Sequence, residues 1–390
     1  MSEIIQKGWE EEIAYRVERI AASLAENGID AILVSSNANL YYTVSRVIAG
    51  YCYITAQGEV KYFVRRPIGL EGDNVHYIRK PEQIMAMLGE KPKTMAVEYA
   101  MSYADVQRLK AAFNGVEIVD GTSLMNKVRA VKSQFEIDLI RRSGISHVES
   151  YRQIPHFFSE GMTDVEFQIE LEHRLRLNGC LGLFRIAGQS MELFMGNILC
   201  GNNADNPTPY DFAMGGAGVD KSLPIGANGS MIRHGMTLMV DACGNFNGYM
   251  TDMSRSYKIG PVSELAEKAH QCSVDICKKI FEMARPDVAA HSLYDVAIEM
   301  AEKAGLSDYF MGHAQKAGFI GHGVGIEINE LPVLSARSKD VLEEGNVIAV
   351  EPKFVIPEVG AVGIENTYVI TADGAKCLTE MPEELMQLAE

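Results

Sequence analysis

Two stretches of this 390-residue chain set pairs of carboxylates on facing strands. In "TLMVDACGNFNGYMTDMSRSYKI", two strand-like runs flank the turn signal "GNFNG". A turn centred on Phe246–Asn247 sets Asp241 nearly opposite Asp252. In "NVIAVEPKFVIPEVGAVGIENTYVI", two further runs flank "PEVG". A turn centred between Glu358 and Val359 sets Glu351 nearly opposite Glu365. Like charges opposed on neighbouring strands destabilise a sheet, and Val- and Ile-rich surroundings make the charged forms costlier still. Two readings stay open: solvated residues on an exposed strand face, or carboxylates that share a cation. A third stretch, "GFIGHGVGIEINELP", holds His322 among glycines that permit close backbone approach. Spacing alone does not tie it to the hairpins. Four carboxylates with one imidazole make an oxygen-rich donor set. Such a set suits Mn²⁺, Co²⁺, Fe²⁺ or Zn²⁺ better than a thiolate-type site does, and two ions sharing bridging oxygens is its natural arrangement.

The elements that must carry these residues are legible in outline. "WEEEIAYRVERIAASLAENG" has helical period and stops at Gly28. "DAILVSS" reads as a buried strand, and "AGYCYITAQGEVKYFVRR" as a hairpin turning at Gln57–Gly58. "KTMAVEY" reads as a strand, "YADVQRLKAAFNG" as a helix and "VEIVD" as a strand. This is an α/β domain of roughly 125 residues. After Lys132 come two helices, "SQFEIDLIRRSGISHVESYRQI" and "TDVEFQIELEHRLRLNG", the second opening on a Thr-Asp cap. A strand-rich stretch from Leu183 to Ile259 follows. Then come helices near "ELAEKAHQCSVDICKKIFEMA" and "SLYDVAIEMAEKAG", and finally strands again. That order predicts an α+β domain of about 250 residues. The domains are set at 1–128 and 129–390. "GGAGVD" at Gly215 lacks the full dinucleotide pattern and reads as a loop.

Composition narrows the partners. The net charge of −16 argues against nucleic acid and anionic membrane surfaces, which reward clustered Lys and Arg. A hydrophobic content of 47% suffices for sizeable cores. Seven scattered cysteines do not form a disulfide framework. The N-terminus is charged and amphipathic, without an apolar signal region, and no apolar run is long enough to span a membrane. The expectation is a cytoplasmic protein.

The same segments resemble the pita-bread metallopeptidases, the family of proline dipeptidase, aminopeptidase P and methionine aminopeptidase, with creatinase as a relative. "RVERIAASLAENGIDAILVSSNANLYY" is similar to the family's creatinase-type N-terminal domain, and "VRAVKSQFEIDLIRRS" to the entry into its catalytic domain. "VDACGNFNGYMTDMSRSY" resembles the segment supplying two aspartate ligands, here Asp241 and Asp252. "GHGVG" resembles the histidine-ligand segment, here His322. "VEPKF" and "GIENTYVI" resemble the two glutamate segments, here Glu351 and Glu365. The resemblance implies a pita-bread α+β catalytic domain behind an α/β N-terminal domain. It implies two divalent ions, Mn²⁺ first. Asp241 would bind one ion, His322 and Glu351 the other, and Asp252 and Glu365 would bridge. A hydroxide held by the ions would attack the amide of a small substrate or dipeptide, with Glu351 as general base. A homodimer is the expected assembly, in which Arg65 and Arg66 would reach a neighbouring subunit's site.

The chain departs from the resemblance around that centre. Ile225, Gly318 and Asn329 stand where histidines are usual, Gly363 where an arginine is, and Lys353 where a glycine follows "EP". Delivering a proton to a leaving amine suits imidazole near neutral pH, and none of these residues titrates there. Lys353, two residues from Glu351 on a strand, faces the same way and is a candidate for anchoring a substrate carboxylate or donating a proton. The alternative for it is a solvated strand edge. Tyr210 and Asn329 are candidate substrate contacts, while His313 and His234 read as surface residues. The leading expectation is a metallohydrolase similar to Xaa-Pro dipeptidase or aminopeptidase P. Its rivals are a metal-dependent non-peptidic C–N hydrolase or lyase on a small carboxylate metabolite, and a binding protein on this scaffold.

Overall fold

Runs such as "AILV" and "VIAV" have no polar side to offer water, so they form strands that are buried throughout. Such strands organise both parts of the chain. The computed structural model describes residues 2–186 and 195–389. It divides into two compact units, Met1–Arg129 and Ala130–Glu390.

In the first unit, helix Glu10–Glu26 ends at Asn27, and Gly28 follows in the left-handed region at φ 67°. Strand Ala31–Val34 pairs antiparallel with Ala49–Thr55 and parallel with Thr94–Val97. The predicted hairpin forms, with Ile54 facing Val60 across the turn at Gln57–Gly58. The result is a six-stranded mixed sheet. Helix Asn37–Val44 was not read from the sequence. Ser36 caps it, accepting from the amide of Asn39 at 3.3 Å.

The second unit holds a four-stranded sheet in the order Met386–Ala389, Met250–Ile259, Thr237–Asn245, Gly196–Cys200. Beside it lies a five-stranded sheet in the order Glu330–Ser335, Phe319–Gly323, Val347–Val350, Asn366–Thr371, Gly374–Cys377. Strands Lys353–Ile356 and Gly360–Gly363 form a separate ribbon. Helices Gln134–Tyr151, Asp164–Leu177, Glu264–Met283 and Ala290–Lys303 pack on these sheets. The Thr163 cap forms as predicted and is reciprocal: its hydroxyl accepts from Glu166 N, and the Glu166 carboxylate accepts from Thr163 N at 2.8 Å. "GGAGVD" is a loop. Part of the strand-rich stretch expected after Leu183, residues 187–194, lies outside the described residues. Among the described residues, no helix is long and apolar enough to cross a membrane.

Helix Gln134–Tyr151 meets the Thr237–Ile259 hairpin through a buried imidazole. His147 Nδ1 lies 3.0 Å from Thr251 Oγ1, and the ring packs edge-on against Tyr151 with centroids 4.9 Å apart. Burial, with the charge of Arg255 adding, pushes this imidazole down to about 3. The folded value lies below that of an unfolded histidine, about 6.5. Stability from this group is therefore complete above about pH 6.5 and is lost as pH falls toward about 3, at about 1.4 kcal/mol per pH unit. Denaturant unfolding from pH 7 to pH 4 is expected to show a shallower pH slope for His147→Gln than for the parent. Identical slopes would rule this imidazole out as the titrating group.

Candidate metal centre

Sheet geometry decides which carboxylates meet. The hairpin of Asp241 and Asp252 turns one residue later than predicted, because Gly248 takes the left-handed position at φ 91° and Asn245 Oδ1 accepts its amide at 3.1 Å. Asp241 therefore pairs with Ser254, and Asp252 with Cys243. The two aspartates are diagonal rather than opposed. The slip is two residues, an even number, so both remain on one face.

The glutamate hairpin keeps its predicted register. Val350 pairs with Asn366, and Lys353 pairs with Gly363. Glu351 and Glu365 lie between those pairs, at the break where the long hairpin leaves the five-stranded sheet and becomes the ribbon. His322 arrives from the same sheet. It pairs with Ala349, two residues before Glu351, and Glu351 N donates to Ile320 O at 2.8 Å. The glycines beside it allow close approach: a Cβ on Gly321 would lie 2.3 Å from Ala349 O, and one on Gly323 would lie 2.1 Å from Leu331 O.

Asp241, Asp252, His322, Glu351 and Glu365 thus converge in two overlapping groups, Asp252–His322–Glu365 and Asp241–Glu351–Glu365. Within each group the donor atoms lie within 4.8 Å of one another. His322 Nε2 is 3.4 Å from Glu351 Oε1 and 3.8 Å from Asp252 Oδ2, while Nδ1 lies 3.1 Å from the carbonyl of Gly323. With the Nδ1 proton on that carbonyl, the Nε2 lone pair faces the carboxylates, the tautomer a metal ligand needs. Glu365 Oε1 is buried and has no hydrogen-bond partner among the described residues. The donors of the Asp252–His322–Glu365 group therefore fit a divalent ion.

The other group already surrounds a charge. Lys353 Nζ donates to Asp241 Oδ2 at 2.8 Å, Glu351 Oε2 at 2.7 Å and Glu365 Oε2 at 3.1 Å. The lysine is 0% exposed. This overturns the solvated-edge reading of it. Its three N–H donors are all engaged by carboxylates inside the protein.

Burial and like charges act throughout. Burial works against the Lys353 ammonium, but Asp241, Glu351 and Glu365 outweigh it and hold the group well above the usual lysine range. Burial also raises Glu351, yet the charge of Lys353 and the contact with His322 hold it below the usual carboxylate range. Burial and then Glu351 push Glu365 up to about 8. Burial and then Glu365 push Asp252 well up. Burial opposes charge on His322 too, and Glu351 more than offsets it.

A buried frame holds these groups, and sequence reading missed it. Ser254 Oγ donates to Glu365 Oε2 at 2.7 Å. Thr367 Oγ1 accepts from Asp252 N at 2.9 Å and donates to Asp252 O at 2.8 Å. The fully buried Arg255 donates to the carbonyls of Ser254 and Glu365, both at 2.8 Å, and to Asn366 Oδ1 at 2.8 Å. Strand alternation would have found Ser254, which shares the face of Asp252. No local pattern marks Arg255.

A cavity opens over the centre. Asp241, Asp252, His322, Glu351, Asn197 and Asn329 supply its polar wall; Phe184, Phe212, Phe319, Ile225, Ile328 and Met195 supply apolar surface. Asn329 thus stands where a substrate contact was expected. Tyr210 is not among the described lining residues: Phe212, whose ring is 6.0 Å from that of Tyr210, takes the wall position. A Cβ on Gly318 would meet nothing within 4 Å. His313 pairs with Asp205 at 2.8 Å and His234 with Glu160 at 3.8 Å, and neither is among the described lining residues. Arg65 and Arg66 are exposed in the first unit.

Comparison with known proteins gives a consistent picture. The sequence profile of metallopeptidase family M24 matches residues 138–372, and that of the creatinase/prolidase N-terminal domain matches residues 16–131. The Xaa-Pro dipeptidase of Pyrococcus horikoshii is 27% identical over 378 residues, covering 95% of this chain and 98% of that protein. The uncharacterized peptidase YqhT of Bacillus subtilis is 25% identical, over 96% of this chain and all of that one. The solved prolidase of Pyrococcus horikoshii OT3 superposes with a TM-score of 0.77 at 25% identity, covering 95% of this chain and 100% of the other. The Xaa-Pro dipeptidase of Bacillus anthracis superposes at 0.80 and 21% identity, over 96% and 99% of the two chains, a likeness of fold.

One side chain under the aspartates yields a direct test of the frame. The Tyr151 hydroxyl accepts from Ala242 N at 3.0 Å and donates to Met253 O at 2.7 Å, bridging the two strands between Asp241 and Asp252. Tyr151→Phe would remove both of these hydrogen bonds, and at about 0.5–1.5 kcal/mol per bond is expected to cost about 1–3 kcal/mol in urea unfolding. A loss within error of zero would show that the bridge carries no stability.

Proposed function

The chain belongs to metallopeptidase family M24, and from that membership we propose that it is a metal-dependent hydrolase cleaving a carbon–nitrogen bond of a small, peptide-like substrate. The observation that carries this reading is the convergence of Asp241, Asp252, His322, Glu351 and Glu365 at the base of one largely apolar cavity. In this reading Asp252, His322 and Glu365, with Glu351 beside them, hold a divalent ion. Mn²⁺ is the first choice for an oxygen-rich set with one imidazole. When bound, such an ion supplies polarisation of a substrate carbonyl and acidifies water. Glu351, with the Lys353 ammonium 2.7 Å from its carboxylate, accepts a proton from the attacking water. Asn197 and Asn329 orient the substrate by hydrogen bonds, and the phenylalanines with Ile225 and Ile328 take its apolar body. The two-ion form of this reading would place a second ion in the Asp241–Glu351–Glu365 group, where the Lys353 ammonium lies.

A second reading, a non-peptidic C–N hydrolase or a lyase, draws on a specific observation. Among the described lining residues, His322 is the only imidazole, and there is no lysine or arginine to meet a substrate carboxylate. An uncharged amide, or a substrate with its amine toward the acidic wall, suits this cavity better than an acidic metabolite.

The test is turnover of Xaa-Pro dipeptides, longer Xaa-Pro peptides and uncharged small amides in Mn²⁺ or Co²⁺. Hydrolysis is expected to stop with a chelator and return with added ion. His322→Ala is expected to lower kcat by at least about a hundredfold, the upper end of what losing a supporting group around a metal costs. Turnover indifferent to chelation would sink the metal-dependent reading. Amide cleavage without Xaa-Pro cleavage would favour the second one.

A further inference from the structure

We infer that Lys353 is a built-in cation that takes the place of one metal ion, so that this chain carries a one-ion centre. The inference rests on the metal-dependent reading and adds to it the number of ions and the residue that sets it. The ammonium lies 2.8, 2.7 and 3.1 Å from carboxylate oxygens of Asp241, Glu351 and Glu365. Those three residues are one of the two groups able to hold an ion. Three N–H donors meet three acceptors, which is the full capacity of a lysine. A divalent ion binds carboxylate oxygen at about 2.0–2.2 Å. An ion bound by the same three carboxylates would overlap Nζ and repel it, so the two cations exclude each other.

The lysine is anchored at its base. Its backbone is held on both sides: Lys353 pairs with Gly363 across the ribbon, and its carbonyl accepts from Met311 N at 2.8 Å. Its side chain is 0% exposed. The second group differs in kind. There Glu365 Oε1 is buried without a partner among the described residues, and His322 Nε2 faces Asp252 and Glu351 at 3.8 and 3.4 Å. Charge balance points the same way. Four carboxylates against one ammonium leave three negative charges, which one divalent ion reduces to one.

Ion content measured by mass spectrometry tests this without any assay of activity. The full-length chain is loaded with excess Mn²⁺, freed of unbound ion and quantified. One equivalent per chain is expected for the parent and for Asp241→Asn, which alters only the lysine-filled group. Close to none is expected for His322→Ala. Lys353→Gly is expected to take up two equivalents and to gain thermal stability on Mn²⁺ addition that the parent does not match. Two equivalents in the parent would overturn the inference and leave the metal-hydrolase reading intact. Loss of the ion in Asp241→Asn would also overturn it, and this arm decides the matter even if Lys353→Gly fails to fold. A folded Lys353→Gly that stays at one equivalent would overturn it as well. No ion in the parent would defeat the metal-dependent reading itself; uptake by Lys353→Gly alone would then still support the lysine as a cation in place of a metal.

Discussion

Four carboxylates within a few ångströms of each other, three of them buried, cannot all be ionised in a low-dielectric interior unless positive charge is brought among them. Much of the second unit can be read as an answer to that constraint. Part of the charge is a lysine from the chain itself, held by Asp241, Glu351 and Glu365. Another part lies behind the strands: Arg255, fully buried, spends its donors on backbone carbonyls and on Asn366. It pins the backbone that carries Glu365 and leaves the carboxylates free for other partners. Removing one member of such a buried set is costlier than never having had it, since the remaining charges keep their desolvation cost.

Geometry is supplied by sheets rather than by loops. Alternation along the Met250–Ile259 strand puts Asp252 and Ser254 on one face, and alternation along Val347–Val350 into Glu351 puts the glutamate beside His322. The break that turns one long hairpin into a sheet pair and a ribbon falls at Glu351 and Glu365. Both side chains thus stand where the backbone changes layer. Thr367 and Tyr151 tie the flanking strands together at that level. This is the rigid support on which a pre-organised site depends.

Much of this was legible in the sequence, for identifiable reasons. Register in the glutamate hairpin followed from "PEVG", because turn chemistry and buried alternation agree there. Register in the aspartate hairpin was missed by two residues, because "GNFNG" offers two glycine positions and only the packed structure chooses Gly248. The face was still right, since an even slip preserves it. Lys353 was correctly placed on the side of Glu351 by period two, but its other two partners, Asp241 and Glu365, come from residues more than ten positions away, and local pattern cannot see those. Tyr210 was displaced by Phe212 for a similar reason: in an irregular segment no period says which side chain turns inward. Arg255 and Tyr151 act through backbone atoms of distant strands, and such contacts leave no mark on spacing.

The Lys353 ammonium held by Asp241, Glu351 and Glu365 has a consequence for the life of the protein outside any reaction. A cation attached to the polypeptide has no dissociation constant. It cannot be drawn off by a scavenging protein, exchanged for a more competitive ion, or lost when supply runs low. With Lys353 in the place of one ion, as inferred above, the newly made chain would close the Asp241–Glu351–Glu365 cluster before meeting any ion, and that half of the centre would be immune to mismetallation. Selection for the correct ion would then be confined to the Asp252–His322–Glu365 group with its one imidazole, a simpler problem than filling two adjoining positions in the right order.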